Sequence, residues 1–457
     1  MRKNNVVFIC VQPAIQYYAW QVEVMLKNFR DLGIHHRFDI HCLFAYNRNL
    51  PNWEKEQIVP VRKVEKAYRD VADFFYYEDT RVTVNYISSI RPNILKQHFK
   101  QIPTLKDEVI FYHDCDIVFT KFPDFIYQTL KKDNICYVSD TISYIGHDYI
   151  VSKGDGILEQ MCEIVGIHPS LVKSKQNESG GAQYILKGLD WVFFEKMERD
   201  CDILFKRITD LNVRIKGIVH QVGKKYKGYT FIEDLRKDVI DEVNSILPDC
   251  KIKNVNFTIN NNIAENIDYH ELQIWCSDMW ALLWNLWMRG YSTEIIPEMS
   301  FLFATDNISE WDKKYIFHNA GVVGDGSDSH LFYKYEFNKT LPYLVEKKLN
   351  PNFCSYKYYE IIQSIGLNSA LVPKGDGVEA KINDVIDLFI VSFTPTRQEE
   401  EKARKRLRAC LTSGENGGEC ENYVDGVMPR CKGCNCPLKS NIFTKPKDTC
   451  PLNKWED

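Results

Sequence analysis

The apolar positions of this chain form short continuous runs separated by stretches with helical spacing. Val6-Val7-Phe8-Ile9-Cys10 is a continuous apolar run, the pattern of a parallel strand covered on both faces. From Tyr17 to Leu32 the positions Trp20, Val22, Val24, Met25, Leu26 and Phe29 repeat at helical spacing, and Gly33 supplies a stop. Phe38 to Phe44 predicts a second strand, so the chain opens with a β-α-β unit and a right-handed crossover. A helix after Arg91-Pro92 carries Leu95 and Phe99 on one side, and Glu108 to Tyr112 predicts a strand that stops at His113-Asp114-Cys115-Asp116. Ile135 to Val138 is a further strand ending at Ser139-Asp140. Over residues 200–270 the pattern loses regularity and reads as an insertion packed beside the sheet. An aromatic helix starts between Gln273 and Asp278 and runs to Arg289, closed by Gly290. Its Trp275, Trp280, Trp284 and Trp287 fall largely on helical spacing, which places them in the core. Residues 346–400 read as a connector with a turn at Lys374-Gly375-Asp376-Gly377, and after Glu399 the composition turns basic and then cysteine-rich. The expected fold class is α/β, a mixed sheet flanked by helices over residues 1–345, with a small separate module over 401–457.

A chain of 457 residues exceeds one ordinary domain. The formal net charge of −4 gives the whole molecule no strong attraction to nucleic acid or anionic membrane. The first apolar run is too short for a signal peptide, and no stretch spans a bilayer without charges. The expectation is a cytoplasmic protein with no membrane partner. Of the 15 cysteines, nine stand singly between Cys10 and Cys354 and six fall between Cys410 and Cys450. An odd total crowded at one end points to a metal rather than a disulfide framework. Cys431-Lys432-Gly433-Cys434-Asn435-Cys436 provides a C-x2-C pair with a third thiol two residues on. Such a knuckle closes on a tetrahedral structural Zn²⁺ with a second pair. The expected ligands are Cys410, Cys431, Cys434 and Cys450, with Cys420 and Cys436 as alternates. The basic run Lys402, Arg404, Lys405, Arg406 and Arg408 offers phosphate contacts, although so short a run is more often a solvated helix face.

The chemistry centres on Asp114 and Asp116. Two carboxylates at i and i+2 after a strand reach one hard cation, Mn²⁺ or Mg²⁺, where the chain turns. Such a cation bridges the phosphates of a nucleotide and stabilises a departing diphosphate. His318, at the end of the strand-like run Tyr315-Ile316-Phe317, is an acceptable third ligand. Between them, Ser179-Gly180-Gly181 permits close backbone approach to a ligand, while Ser179 and Gln183 offer hydrogen bonds to hydroxyls. Asp140 places another carboxylate at a strand end.

Taken in chain order, these segments resemble the GT-A glycosyltransferases related to hydroxyproline O-arabinosyltransferases and peptidyl-serine galactosyltransferases. The resemblance runs from about residue 6 to 325 and rests on Tyr18-Ala19-Trp20-Gln21, Arg91-Pro92, Phe111-Tyr112-His113-Asp114-Cys115-Asp116, Gly180-Gly181, Asp278 and His318. It implies a Rossmann-like sheet and a retaining transfer from a UDP-sugar, with Asp114, Asp116 and His318 as metal ligands. It also implies nucleotide-sugar contacts from Gln12, Pro13, Tyr18, Arg91, Asp114, Ser179, Gly180 and Gly181. Asp278, Asp140 and Gln183 are the candidate catalytic residues. A retaining transfer demands no separate protein base if the leaving phosphate helps to deprotonate the acceptor, which leaves Asp278 to position a sugar. The ending Cys450-Pro451-Leu452-Asn453-Lys454-Trp455 resembles a zinc module at the end of many bacteriophage proteins, and makes a hydroxymethylated pyrimidine in DNA one expected acceptor. A peptide hydroxyl is the acceptor that the family resemblance favours. A non-catalytic nucleic-acid binder is the competing class; a nucleotidyltransferase is disfavoured by the absence of an extra carboxylate near Asp114.

Overall fold

The computed structural model describes residues 5–130, 134–321, 330–372, 377–389, 395–414, 418–424, 430–433, 436–438, 442, 443, 450, 452, 454 and 455. Ten strands organise the region of interest: β1 (Val6–Pro13), β2 (Asp39–Tyr46), β3 (Asp73–Glu78), β4 (Val109–His113), β5 (Ile117–Phe119), β6 (Ile135–Asp140), β7 (Gly180–Lys187), β8 (Ser292–Ile295), β9 (Phe301–Leu302) and β10 (Ile316–His318). Five helices surround them: α1 (Gln16–Asp31), α2 (Ile90–Gln101), α3 (Trp191–Tyr226), α4 (Ser277–Met288) and α5 (Cys354–Ile365).

Seven strands form one mixed sheet in the order β8-β6-β7-β4-β1-β2-β3. Only β7 runs antiparallel to its neighbours β4 and β6. The chain builds outward from β1 through β2 to β3, then returns to place β4 on the other side of β1. That reversal puts a crevice beyond the C-terminal ends of β1 and β4, where open α/β sheets bind ligands. Along β1 the side chains alternate between faces. Val7, Ile9 and Val11 join the core under α2, α3 and α4, whereas Val6, Phe8 and Cys10 join the core under α1 and α5.

Residues 200–270 are more regular than their composition implied. Most of the first half belongs to α3, a 36-residue helix whose N-cap Asp190 accepts from the Phe193 N–H. Its buried face repeats at three- and four-residue intervals, from Met197 through Cys201, Leu204, Ile208, Leu211 and Ile215 to Val219. The asparagines near 260 turn a hairpin between Asn256–Asn260 and Ile263–Asp268. Nor do residues 346–400 form a single connector. Tyr358, Tyr359, Leu371 and Val372 are buried in the sheet's own core. Ile382, Val385 and Ile386 instead pack with Leu407 and Leu411 of helix Arg397–Thr412 in the C-terminal core. Among the described residues no helix is long and apolar enough to cross a membrane.

One buried polar chain makes the sheet core sensitive to acid. The Tyr77 hydroxyl lies 2.7 Å from His98 Nδ1, and His98 Nε2 lies 3.0 Å from His41 Nδ1. Burial, and then the neighbouring His41, pull His98 down to about 3 from an ordinary 6.5. Its folded value is depressed, so the unfolded chain binds the extra proton. The stability contribution is complete above about pH 6.5 and is lost as the pH falls toward 3. Thermal unfolding is expected to show a fall of a few kcal/mol across this window, with a shallower slope in His98→Gln.

Candidate metal and donor site

The two carboxylates lie on the turn that joins β4 to β5. Strand β5 pairs antiparallel with β10, in the register Phe119↔Ile316, Val118↔Phe317 and Ile117↔His318. One residue further on, the Asn319 N–H donates to the Asp116 carbonyl at 3.0 Å. The ladder therefore fixes His318 beside Asp116, across 202 residues of sequence (318 less 116). His318 Nε2 lies 3.5 Å from Asp114 Oδ2 and 3.3 Å from Asp116 Oδ1. One ligand atom from each of the three residues falls within 4.8 Å of the others, the one such group among the described residues. Two carboxylate oxygens and an imidazole nitrogen suit a hard or borderline divalent cation.

Behind His318, Gln183 Nε2 lies 3.3 Å from His318 Nδ1, and Ser139 Oγ donates to Gln183 Oε1 at 2.9 Å. Gln183 is fully buried. It sets the imidazole's orientation rather than facing a substrate. Turning its amide over would let it accept from Nδ1–H and leave the Nε2 lone pair for a cation.

Two cations hold the carboxylates. Arg91, in the first turn of α2, donates from Nη1 to Asp114 Oδ1 at 2.8 Å, and its Nε lies 3.4 Å from Asp278 Oδ2. Lys334 Nζ lies 2.5 Å from Asp116 Oδ2. Burial disfavours the charged form of Asp116, but Lys334 and then His318 outweigh it and hold the carboxyl well below its ordinary range. Asp278, in the first turn of α4, also receives the Tyr86 hydroxyl at 2.7 Å. Nothing in the local sequence singled out Lys334 or Tyr86.

These groups border a cavity of about 880 Å³, which Gln12, Pro13, Tyr18, Arg91, Asp278 and Lys334 help to line. Gln12 anchors its Nε2 on the Leu43 carbonyl at 3.0 Å. Its Oε1 is buried and has no hydrogen-bond partner.

Other sequence candidates lie outside the cavity wall. Asp140 is exposed and accepts from the Ile142 N–H at 3.1 Å. Ser179 is buried and donates to the Lys175 carbonyl. A Cβ at Gly180 would strike Val138 and the Ser139 carbonyl, and one at Gly181 would strike Met279 and the Tyr184 hydroxyl. Both glycines therefore serve strand packing. The wall residue of that segment is Ala182, held at φ 70°.

In the C-terminal module, Cys410, Cys420, Cys431 and Cys450 line one small cavity together with Trp455. Trp455 Nε1–H donates to Cys410 Sγ at 3.5 Å and the Lys454 N–H to Cys450 Sγ at 3.4 Å. Burial pushes the Cys410 thiol up to about 11, against the opposing indole bond. Cys434 lies outside the described residues, as does the side chain of Cys436. The basic run does not make one open face: Arg406 is buried with its guanidinium 4.9 Å from the Trp455 ring centre. Arg404 bonds Glu400 and Asn383.

No protein-family model matches the chain, and no curated protein matches it. Among solved structures, the apo structure of the WbbM bifunctional glycosyltransferase is similar over 79% of this chain and 50% of that one. The identity is 8% and the TM-score 0.37, so this chain spans half the length of that protein and is only distantly like it.

Proposed function

We propose that the protein is a metal-dependent glycosyltransferase that moves a sugar from a UDP-sugar to a hydroxyl group. The observation that carries this reading is the Asp114, Asp116 and His318 group, set at the crevice beyond β1 and β4 in a cavity large enough for a nucleotide-sugar. A bound Mn²⁺ or Mg²⁺ would neutralise the donor diphosphate and stabilise the charge it gains on leaving. Lys334 adds a positive charge on the same side. The acceptor oxygen bonds to the anomeric carbon, the bond from that carbon to the diphosphate oxygen breaks, and the acceptor proton leaves with the diphosphate. Asp278 is occupied by Arg91 and Tyr86, which supports a positioning role rather than that of a free base and favours transfer with retention.

The test is release of UDP from a panel of UDP-sugars with Mn²⁺ present or chelated. Metal-dependent release from one sugar is expected; release that ignores the chelator, or none from any sugar, contradicts the reading.

We further propose that the C-terminal cysteines hold one structural Zn²⁺; the support is their spacing and the cavity shared by Cys410, Cys420, Cys431 and Cys450, of which no three bring their sulfurs within 4.8 Å of one another in this structure. A buried neutral thiol such as Cys410 gains a thiolate role only with a cation beside it. Elemental analysis is expected to find one zinc per chain, lost in Cys410→Ser and Cys431→Ser. Zinc retained in Cys420→Ser but lost in Cys434→Ser would replace Cys420 by Cys434 in the set.

A further inference from the structure

We infer that Trp275 and Tyr144 form a platform for a neutral saccharide acceptor at the mouth of the same cavity. This inference rests on the donor site proposed above. The sequence grouped Trp275 with the tryptophans of α4, and three of them do lie in the core: Trp280, Trp284 and Trp287 are at most 3% exposed. Trp275 is 56% exposed and lines the cavity. Its ring centre lies 5.7 Å from that of Tyr144, with the planes tilted by 31°. Unlike the other three, Trp275 is not part of the core, and it stands in the cavity wall beside a second ring and the exposed Ile87.

The platform is fixed from below. The Tyr86 hydroxyl lies 2.5 Å from the Trp275 carbonyl and 2.7 Å from Asp278 Oδ1. The single hydroxyl proton serves one acceptor at a time, and Tyr86 holds the Trp275 backbone next to the carboxylate that shares Arg91 with Asp114. Next to Tyr86, Ile87 is 76% exposed and also lines the cavity.

Sheet order says which substrate this wall faces. Gln12 and Pro13 end β1, the carboxylates follow β4, and Tyr144 follows β6, on the opposite side of β4 from β1. A donor whose base lies against β1 and whose diphosphate lies at Asp114 and Asp116 directs its sugar toward Trp275. The acceptor must approach from that side.

The chemistry of the wall selects the class of acceptor. Ile87, Ser88, Tyr144, Gln273 and Trp275 are uncharged. The cations near them are already paired: Arg91 lies between Asp278 and Asp114, Lys334 is on Asp116, and Arg81, which donates to the Ile87 carbonyl, is on Asp79. A phosphodiester would have to compete with carboxylates for cations they already hold, whereas a pyranose offers a flat C–H face to the rings and hydroxyls to Ser88 and Gln273.

The test uses the full chain with Mn²⁺ and the UDP-sugar that the wild type hydrolyses. Three acceptor probes are compared: neutral gluco-, galacto- and N-acetylglucosamine oligosaccharides, an oligodeoxynucleotide carrying 5-hydroxymethylcytosine, and a serine- and hydroxyproline-containing peptide. Product is expected on the oligosaccharides. Trp275→Ala should raise the acceptor KM by about tenfold, with Trp275→Phe restoring most of it and little change in the UDP-sugar KM. Product only on the oligonucleotide or peptide, product on none of the probes, or an unchanged acceptor KM in Trp275→Ala overturns the platform. If the wild type neither binds nor hydrolyses any UDP-sugar, the donor reading itself has failed, an outcome distinct from these.

Discussion

Asp116→Asn protein is expected to lose about a thousandfold or more in metal-dependent UDP release, since a metal ligand at a leaving diphosphate supplies several kcal/mol. The substitution has a second effect that must be separated from the first. Lys334 Nζ lies 2.5 Å from Asp116 Oδ2, and both side chains are largely buried. Asparagine leaves that ammonium without its partner and lowers stability. Pairing Asp116→Asn with Lys334→Met removes the stranded charge, so the double variant should recover melting temperature while remaining inactive. Activity that returns together with stability would mean that Asp116 is structural and not a ligand.

Arg91→Ala is expected to cost about 2 kcal/mol in chemical denaturation, between the values for exposed and for buried ion pairs because Arg91 and Asp114 are each partly open to the cavity. One guanidinium reaches both Asp114, at 2.8 Å, and Asp278, at 3.4 Å. Without it two carboxylates face each other across the cavity and Asp278 keeps only Tyr86. Burial opposes the charge on Arg91, yet Asp278 and then Asp114 hold its guanidinium well above its ordinary value, so it remains a cation at any working pH. Arg91→Lys keeps the charge but loses the fork, and should fall between the wild type and Arg91→Ala. Equal stability of all three proteins would show that the carboxylates are satisfied by other means.

The parallel part of the sheet was legible because β1 and β4 are buried on both faces and open as unbroken apolar runs, and β2 interrupts its run within the strand only at His41. Asp114 and Asp116 stood out for the same reason: an apolar run that ends in two carboxylates has no packing explanation. His318 could be named as a third ligand beside Asp114 and Asp116, but what sets it there could not, because the β5–β10 register is a tertiary fact. The glycines misdirected the reading. Gly180 and Gly181 lack side chains because Val138, Met279 and Tyr184 crowd them, and crowding leaves no local signature. In α3 the signal was present and overlooked: Met197, Cys201, Leu204, Ile208 and Leu211 have plain helical spacing, masked by the lysines and acids between them. Lys334 and Tyr86 reach the site from segments with no motif, and Trp275 differs from its neighbours only in standing before the first turn of α4.

The most direct test of the central claim is calorimetric titration of UDP into the wild type and into Asp114→Asn/Asp116→Asn protein, each with and without Mn²⁺. Binding by the wild type that requires Mn²⁺, together with none in the double variant under either condition, is the predicted result. UDP binding of equal strength with and without the cation, or undiminished in the double variant, would contradict a metal-dependent donor site at Asp114, Asp116 and His318.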